Sequence, residues 1–159
     1  MVHLIFDDFN SNKYNFSNIF ENVTQGNRVE LFSTSDKETV DKTIDDLFWK
    51  LGFNPTTKGT TYLKKAISIA SDDLSLLYDN KKLLSLVSNE FNGEFKAVRS
   101  AIDNSINSMY RYSSDDKIKI VFKDNYDGRK PSTKYFIALC VNYSNEKNNK
   151  ETANMIYFE

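Results

Sequence analysis

Apolar residues recur at helical spacing along most of the chain after residue 34. The first predicted helix begins at Ser35, because Ser35 and Glu38 fit a capping box that satisfies free N–H groups of the first turn. Gly52 is a natural end for this helix, and Asn54-Pro55 then breaks the helical pattern. Its core-facing positions, spaced i, i+4, i+7, i+8 and i+11, are Val40, Ile44, Leu47, Phe48 and Leu51.

Two further helical segments follow the break. A second helix is predicted over about Thr60–Ala70, and a short third helix over Asp72–Tyr78. The inward face of the second helix is made of Leu63, Ala66, Ile67 and Ala70. We also expect Trp49 and the many Tyr and Phe residues at helical spacing to lie in the core.

The segment Lys81–Tyr110 carries the most specific pattern in the sequence. It predicts two helices joined by a tight Asn92-Gly93 turn. The first covers Lys81–Phe91 with Asn80 as its cap, and it buries Leu83, Leu84, Val87 and Phe91. The second has an apolar seam of Phe95, Val98, Ile102, Ile106 and Met109, beside a narrow flank of Ala97, Ala101, Ser105 and Ser108. Its other side is polar and partly basic, which is the layout of a helix-turn-helix whose second helix enters the DNA major groove.

The two ends of the sequence carry weaker, partly β-like patterns. Residues 1–34 contain β-prone runs at Val2–Phe9 and Arg28–Phe32, so we predict a small β-containing arm. Lys117–Lys123 alternates like a strand, but it also fits a helical turn. Asn154–Phe158 predicts a strand that would pair with the arm.

The patterns together predict a mainly α fold, a helical bundle that contains the helix-turn-helix. Its last helix is capped by Ser132 and carries Tyr135, Phe136, Leu139 and Cys140. A β-containing N-terminal arm and a C-terminal strand complete the prediction. The expected division is an arm over residues 1–34, a helix-turn-helix domain over residues 35–145 and a tail over residues 146–159.

Composition narrows the class of protein. Forty per cent hydrophobic and 27% charged residues fit a globular domain and argue against disorder. No apolar run approaches the roughly 18–20 residues of a membrane span, and acids interrupt the apolar start where a secretory signal would continue. The single cysteine cannot form an internal disulfide. We therefore expect a cytoplasmic protein with no membrane contact.

Positive charge is concentrated in the part of the chain that contains the helix-turn-helix. The whole chain has a net charge of −1, which does not by itself indicate a polyanion binder. Residues 56–134, however, carry fourteen Lys/Arg against ten Asp/Glu, whereas residues 1–55 carry five against nine. This local surplus permits DNA binding without proving it.

The residue types and their spacing argue against an enzyme. His3, the only histidine, lies in the arm and far in sequence from Cys140, so a Cys/His nucleophile is not expected. The Asp pairs are adjacent in sequence, and adjacent helical side chains diverge by about 100°, which suits solvent exposure better than a shared metal. The five glycines form no phosphate-cradling motif. We expect no catalytic residue, no metal site and no cofactor.

Twelve polar side chains are candidates for contact with DNA. In the major groove Arg pairs with guanine and Asn with adenine, and each such contact discriminates by about 1–3 kcal/mol. The base-reading candidates are Lys96, Arg99, Ser100, Asp103, Asn104 and Asn107. The phosphate candidates are Lys58, Lys81, Lys82, Arg111, Arg129 and Lys130. A solvated helix face and scattered solubilising lysines are the plainer interpretation, and the Asp103 carboxylate would be repelled by phosphates.

Several short segments occur in a characteristic order between residues 43 and 144. They are Leu51-Gly52, the run from Lys58 to Leu63, Ala66-Ile67, Leu76-Leu77, Phe91-Asn92, Val98, Ala101-Ile102, Ile106, Lys130-Pro131 and Phe136-Ile137-Ala138. In their order and spacing they resemble the C-terminal DNA-binding domain of the stage-zero sporulation response regulator. The resemblance implies a six-helix, all-α domain that binds DNA as a tandem dimer and contacts RNA polymerase.

The sequence departs from that family in two respects. About forty residues precede the similar region, too few for a receiver domain, so we expect no phosphate switch within the chain. The family's recognition helix is rich in Arg and contains a Glu. Here Ala97 takes an Arg position, Arg99 takes the Glu position, and Ser100, Asp103 and Asn104 take further basic positions. We therefore expect a different DNA target.

Two functions remain open from the sequence. The first is a DNA-binding transcription regulator or accessory factor, with double-stranded DNA as its partner and RNA polymerase as an additional one. The second is a protein–protein interaction module that keeps the fold but has lost base reading. It would act as a homodimer or by binding a sporulation regulator. Ala97 and Asp103 favour the second function.

Overall fold

The protein is described by a computed structural model that covers the backbone of residues 34–158 and the side chains of residues 37–148. The helices of this part are α1 (Thr34–Leu51), α2 (Lys58–Asp72), α3 (Asn80–Glu90), α4 (Phe95–Tyr112), α5 (Asp115–Phe122) and α6 (Thr133–Phe158). Short 3₁₀ segments cover Leu74–Tyr78 and Lys123–Asn125. The predicted mainly helical bundle is confirmed, whereas the predicted β-containing arm lies outside the described residues. The division into arm, domain and tail stays a prediction.

Local signals set most helix ends. Gly52 ends α1 with a φ of +85°, and its N–H donates to the carbonyl of Phe48 at 3.0 Å, as the glycine stop predicts. The start of α1 lies at Thr34, one residue before the predicted cap at Ser35. The prediction that Asn80 caps α3 is wrong. Asp79 is the cap and accepts from the N–H of Lys82 at 3.1 Å, and its carboxylate also suits the positive end of the helix.

The core forms where α1, α2, α4 and α6 pack on one another. The predicted inward positions of α1 and α2 are all buried, including Leu47, Leu63 and Ile67. The predicted last helix buries Tyr135 and Phe136 just after its cap, and the Phe136 ring meets Phe122 edge-on at 5.9 Å. Apolar residues at helical spacing therefore predict the buried positions of α1, α2 and the start of α6 correctly.

Among residues 37–148, three aromatic residues are exposed against the expectation that Trp49 and the Tyr and Phe residues lie in the core: Trp49, Phe91 and Tyr112. Trp49 is 81% exposed, because it directly follows Phe48 and is turned about 100° away from the inward stripe of α1. Phe91 is 39% exposed, because it lies beyond the end of α3 and begins the turn. Its ring contacts only the edge of the core, at Tyr62, with the ring centres 5.1 Å apart.

The structure resolves the open questions at the C-terminal side in favour of helix. Lys117–Lys123 belongs largely to α5, whose cap Ser114 accepts from the N–H of Lys117. The predicted strand over Asn154–Phe158 is wrong, because α6 continues without a break to Phe158. Once a cap has nucleated a helix, each added residue gains a hydrogen bond, and this outweighs weak local β preference. Every helix in the described residues is too short or too polar to span a lipid bilayer.

The most extensive helix contact, between α2 and α4, requires a glycine. A Cβ built on Gly59 would lie 2.7 Å from the carbonyl carbon of Ala101 and closer still to its oxygen. Ser105 lines the same contact from the next turn of α4. The predicted flank of small residues is therefore used where α2 meets α4 at Ala101 and Ser105. This contact sets the position of α4 in the bundle.

Candidate nucleic-acid interface

A four-residue turn joins α3 to α4. Asn92 adopts a φ of +52°, the left-handed region in which Asn is one of the few favoured residues. The N–H of Gly93 donates to the carbonyl of Ser88 at 2.9 Å, which closes the end of α3. The predicted turn at Asn92-Gly93 is thus confirmed, and α3 and α4 pack against each other as the two helices of a helix-turn-helix.

The buried face of α4 fixes which of its side chains meet solvent. Val98, Ile102, Ile106 and Met109 are each at most 2% exposed. Four of the six predicted base-reading residues lie on the opposite side, at spacing i, i+4, i+8 and i+11, and all are exposed: Lys96, Ser100, Asn104 and Asn107. We call these four residues the exposed stripe of α4. Ala97 is also exposed beside them.

The other two predicted base-reading residues lie off this stripe. Asp103 is half-buried and its carboxylate accepts a hydrogen bond from the hydroxyl of Thr133, the first residue of α6. Its charge is therefore engaged within the protein, near the positive end of α6. Arg99 precedes Ser100 and is turned about 100° from it around the helix, toward α3.

Arg99 lies in a small surface pocket between α3 and α4. The pocket, of about 300 Å³, is lined by Asn80, Lys81, Leu84, Phe95 and Arg99. Two cations therefore share one cavity beside the first turn of α3, and the buried Oδ1 of Asn80 has no hydrogen-bond partner among the described residues. We call this pocket the α3 corner. Like charges placed together repel, so an anion between them would be stabilised.

A second pocket lies on the other side of the exposed stripe. It has a volume of about 540 Å³ and is lined by the N-terminal end of α2, including Thr57 and Lys58, and by Asn104 and Ser108 of α4. The first N–H groups of α2 face this end, with Thr57 as their cap. We call this pocket the α2 corner. The exposed stripe thus runs between two corners that each contain an exposed lysine and a helix N-terminus.

The remaining predicted phosphate residues are exposed, but they line neither corner. Lys82 is exposed at the first turn of α3, Arg111 is exposed at the last turn of α4, and Lys130 is exposed in the loop before α6. Arg129 differs, because its guanidinium and backbone N–H are held by the carboxylate of Asp127, with a 3.0 Å ion pair. Of the six, Arg129 is therefore the least free to contact a phosphate.

Ion pairs engage several cations of the described residues but, among the candidate DNA contacts, only Arg129. Lys37, Lys64, Lys65 and Lys147 pair with Asp or Glu side chains on α1, α2 and α3. Within residues 37–148, ion pairs are absent for the following cations: Lys58, Lys81, Lys82, Lys96, Arg99, Arg111 and Lys130. Glu94 is the exposed acid at the start of α4 and caps no N–H with its side chain. The positive charge around α4 is therefore largely available to a ligand.

An exposed apolar surface lies where α1 meets α5. Trp49 and Ile120 are 81% and 75% exposed, and both line a pocket of about 520 Å³ with Phe53, Lys50 and Lys117. The sequence predicted neither side chain to be exposed. Helical spacing could have indicated their exposure. Trp49 directly follows the buried Phe48, and Ile120 lies midway between the buried Ile118 and Phe122.

The sequence profile of one protein family matches residues 44–143, the part that contains the end of α1, all of α2 to α5 and the start of α6. That family is the sporulation initiation factor Spo0A C terminal. The chain belongs to the Spo0A C-terminal domain family. The family's domain is a DNA-binding regulatory domain and not an enzyme domain, which agrees with the helix-turn-helix and the unpaired cations. A comparison with curated proteins finds no match.

Proposed function

We propose that the protein binds duplex DNA by inserting α4 into the major groove and acts as a transcription regulator or accessory factor. The observation that carries the proposal is the exposed stripe of α4 between two cationic corners. A major groove is bordered by two phosphate strands and floored by base edges. A reading helix therefore needs polar side chains at its centre and positive groups on both sides, which this arrangement supplies.

Each corner offers the chemistry that binds phosphate. In the α2 corner Lys58 combines with the free N–H groups at the start of α2, and in the α3 corner Lys81 combines with Arg99. Backbone N–H groups at helix N-termini and Lys or Arg side chains are the usual phosphate donors in protein–DNA complexes. Phosphate contacts at both corners would fix the register of α4 in the groove without specifying sequence.

The number of free cations sets the salt dependence. We take four of them as phosphate contacts: Lys58 and Lys81 at the two corners, and Arg99 and Arg111 on α4 itself. Neutralising four phosphates gives a slope of about −3.6 in the logarithm of affinity against the logarithm of salt. Raising the salt from 50 to 200 mM would then weaken binding by about 150-fold. Binding that depended on apolar contact alone would change little.

The experiment is a fluorescence anisotropy titration of a pool of random duplexes at several salt concentrations. The Lys58→Ala/Lys81→Ala variant is expected to reduce the salt slope by about two. The matched control, Lys42→Ala/Lys119→Ala, removes two exposed lysines from α1 and α5 and should leave the slope unchanged. Absence of binding at 50 mM salt, or equal effects of the two variants, would reject the proposal.

The protein-interaction alternative has one observation in its favour, the exposed Trp49 and Ile120. Exposed aromatic and aliphatic side chains in one patch are typical of protein contacts. RNA polymerase, a sporulation regulator and a second copy of the chain remain the expected protein partners. Sedimentation of the protein and of Trp49→Ser/Ile120→Ser tests the second copy. The alternative would be favoured if the protein forms a dimer that the substitutions dissociate and if it binds no DNA.

A further inference from the structure

The exposed stripe of α4 is unusual in what it offers to base pairs. Three of its four residues are uncharged, with two amides at Asn104 and Asn107 and one hydroxyl at Ser100. Ala97 adds an exposed methyl group beside them. The side chains that recognise guanine best are Arg and, less specifically, Lys. Lys96 is the one cation on the stripe.

The arginine nearest to the stripe is placed for another role. Arg99 lines the α3 corner with Lys81, about 100° around the helix from Ser100. The side chain that would oppose DNA, Asp103, is half-buried off the stripe, and one oxygen of its carboxylate accepts a hydrogen bond from Thr133. Both charged residues therefore lie off the exposed stripe, Asp103 beside Thr133 and Arg99 beside α3.

We propose that α4 reads A·T base pairs through Asn104 and Asn107, whereas Arg99 and Lys81 contact DNA phosphates at the α3 corner. The proposal rests on the proposed DNA binding and names the class of sequence that this chain recognises. An Asn amide donates to adenine N7 and accepts from adenine N6, a pattern that guanine does not present. The Ala97 methyl group fits against the methyl group of thymine.

The remaining stripe residues set how strict the preference is. A serine hydroxyl is compatible with several bases, so Ser100 adds little discrimination. Lys96 lies at the N-terminal end of the helix and suits a guanine there. The expected site is thus rich in A·T pairs, with one G·C pair at the position that faces Lys96. Each bidentate Asn–adenine contact is expected to favour the correct base by about 5- to 140-fold.

The test is selection of duplexes from a random pool by the whole protein, followed by affinity measurements on the selected site and on single-base changes. Asn104→Ala and Asn107→Ala are each expected to remove the A·T preference at one position while other positions keep theirs. Arg99→Ala is expected to weaken binding equally for all sequences and to reduce the salt slope by about one. Lys119→Ala on α5 is the matched control and should change neither quantity.

The outcomes separate the two claims. Retention of duplexes without any consensus, or a G·C-rich consensus, would overturn the reading proposal while leaving DNA binding intact. Loss of a G·C preference in Arg99→Ala would overturn the phosphate role of Arg99 and return it to base reading. Failure to retain any duplex at low salt would overturn both. Circular dichroism of each variant checks that the helices remain folded.

Discussion

Replacing Gly59 with alanine tests the contact that positions the reading helix. Alanine is usually favoured over glycine inside a helix, by about 0.5–1 kcal/mol. Gly59 lies in the first turn of α2, and the backbone of α4 at Ala101 occupies the space that a Cβ would need. Ordinary contact begins near 3.4 Å, whereas the new Cβ would lie 2.7 Å from the Ala101 carbonyl carbon. The two helices must therefore separate by at least 0.7 Å.

The expected cost follows from the rigidity of the neighbouring atoms. The clash is with backbone, which cannot rotate away as a side chain can. Forcing extra volume into a packed contact costs about 1–3 kcal/mol, and sometimes more. We therefore predict that Gly59→Ala lowers the free energy of unfolding by about 2–3 kcal/mol. For a chain of this size that corresponds to a fall in Tm of roughly 4–12 °C.

Urea unfolding followed by circular dichroism measures the change, with Gly93→Ala as the matched control. A Cβ on Gly93 would meet only a methyl group of Val98 at 3.0 Å, and that side chain can adjust. We expect the control to lose less than half as much stability. Equal or greater stability for Gly59→Ala would show that α2 and α4 are not packed as closely as described and would refute the reasoning.

Two further predictions concern stability, one through the helix cap Asp79 and one through the buried Cys140. Asp79→Ala is expected to lower the free energy of unfolding by about 1 kcal/mol, because α3 loses its cap. Asp79→Asn should retain most of the stability of the cap, since Asn also accepts at this position. Equal urea midpoints for the original protein and the two variants would contradict the role of Asp79 as the cap. Burial raises the pKa of the Cys140 thiol well above its ordinary value, so only the unfolded chain ionises as the pH passes the ordinary thiol pKa. Stability should therefore fall between about pH 8 and 10, and urea titrations should show a smaller fall in Cys140→Ala; identical pH dependence in the two proteins would contradict this burial.

The core and the helix-turn-helix were predictable because their signals are periodic. Val98, Ile102 and Ile106 occur at the helical period, and that period alone places them on one face. Asn92-Gly93 similarly predicts a turn, because Asn tolerates the left-handed backbone that Asn92 adopts there. Such signals need no knowledge of what lies opposite in space.

The sequence did not predict features that depend on contacts between residues far apart in the chain. The hydrogen bond from Thr133 to Asp103 links positions thirty residues apart, which no local pattern connects. That Arg99 and Lys81 line one pocket likewise depends on how α3 meets α4. The strand prediction at Asn154–Phe158 rests on local propensity alone, and the continuation of α6 to Phe158 overrides that propensity.

The most direct test of the DNA-binding account is to map the contact residue by residue. Nitrogen-15-labelled protein is titrated with a duplex of mixed sequence at low salt, and amide chemical shifts are followed by NMR. The account predicts that the largest changes occur in residues 94–107 and at the first turns of α2 and α3, with little change in α5. Changes that cluster around Trp49 and Ile120 instead, or no changes at all, would contradict it.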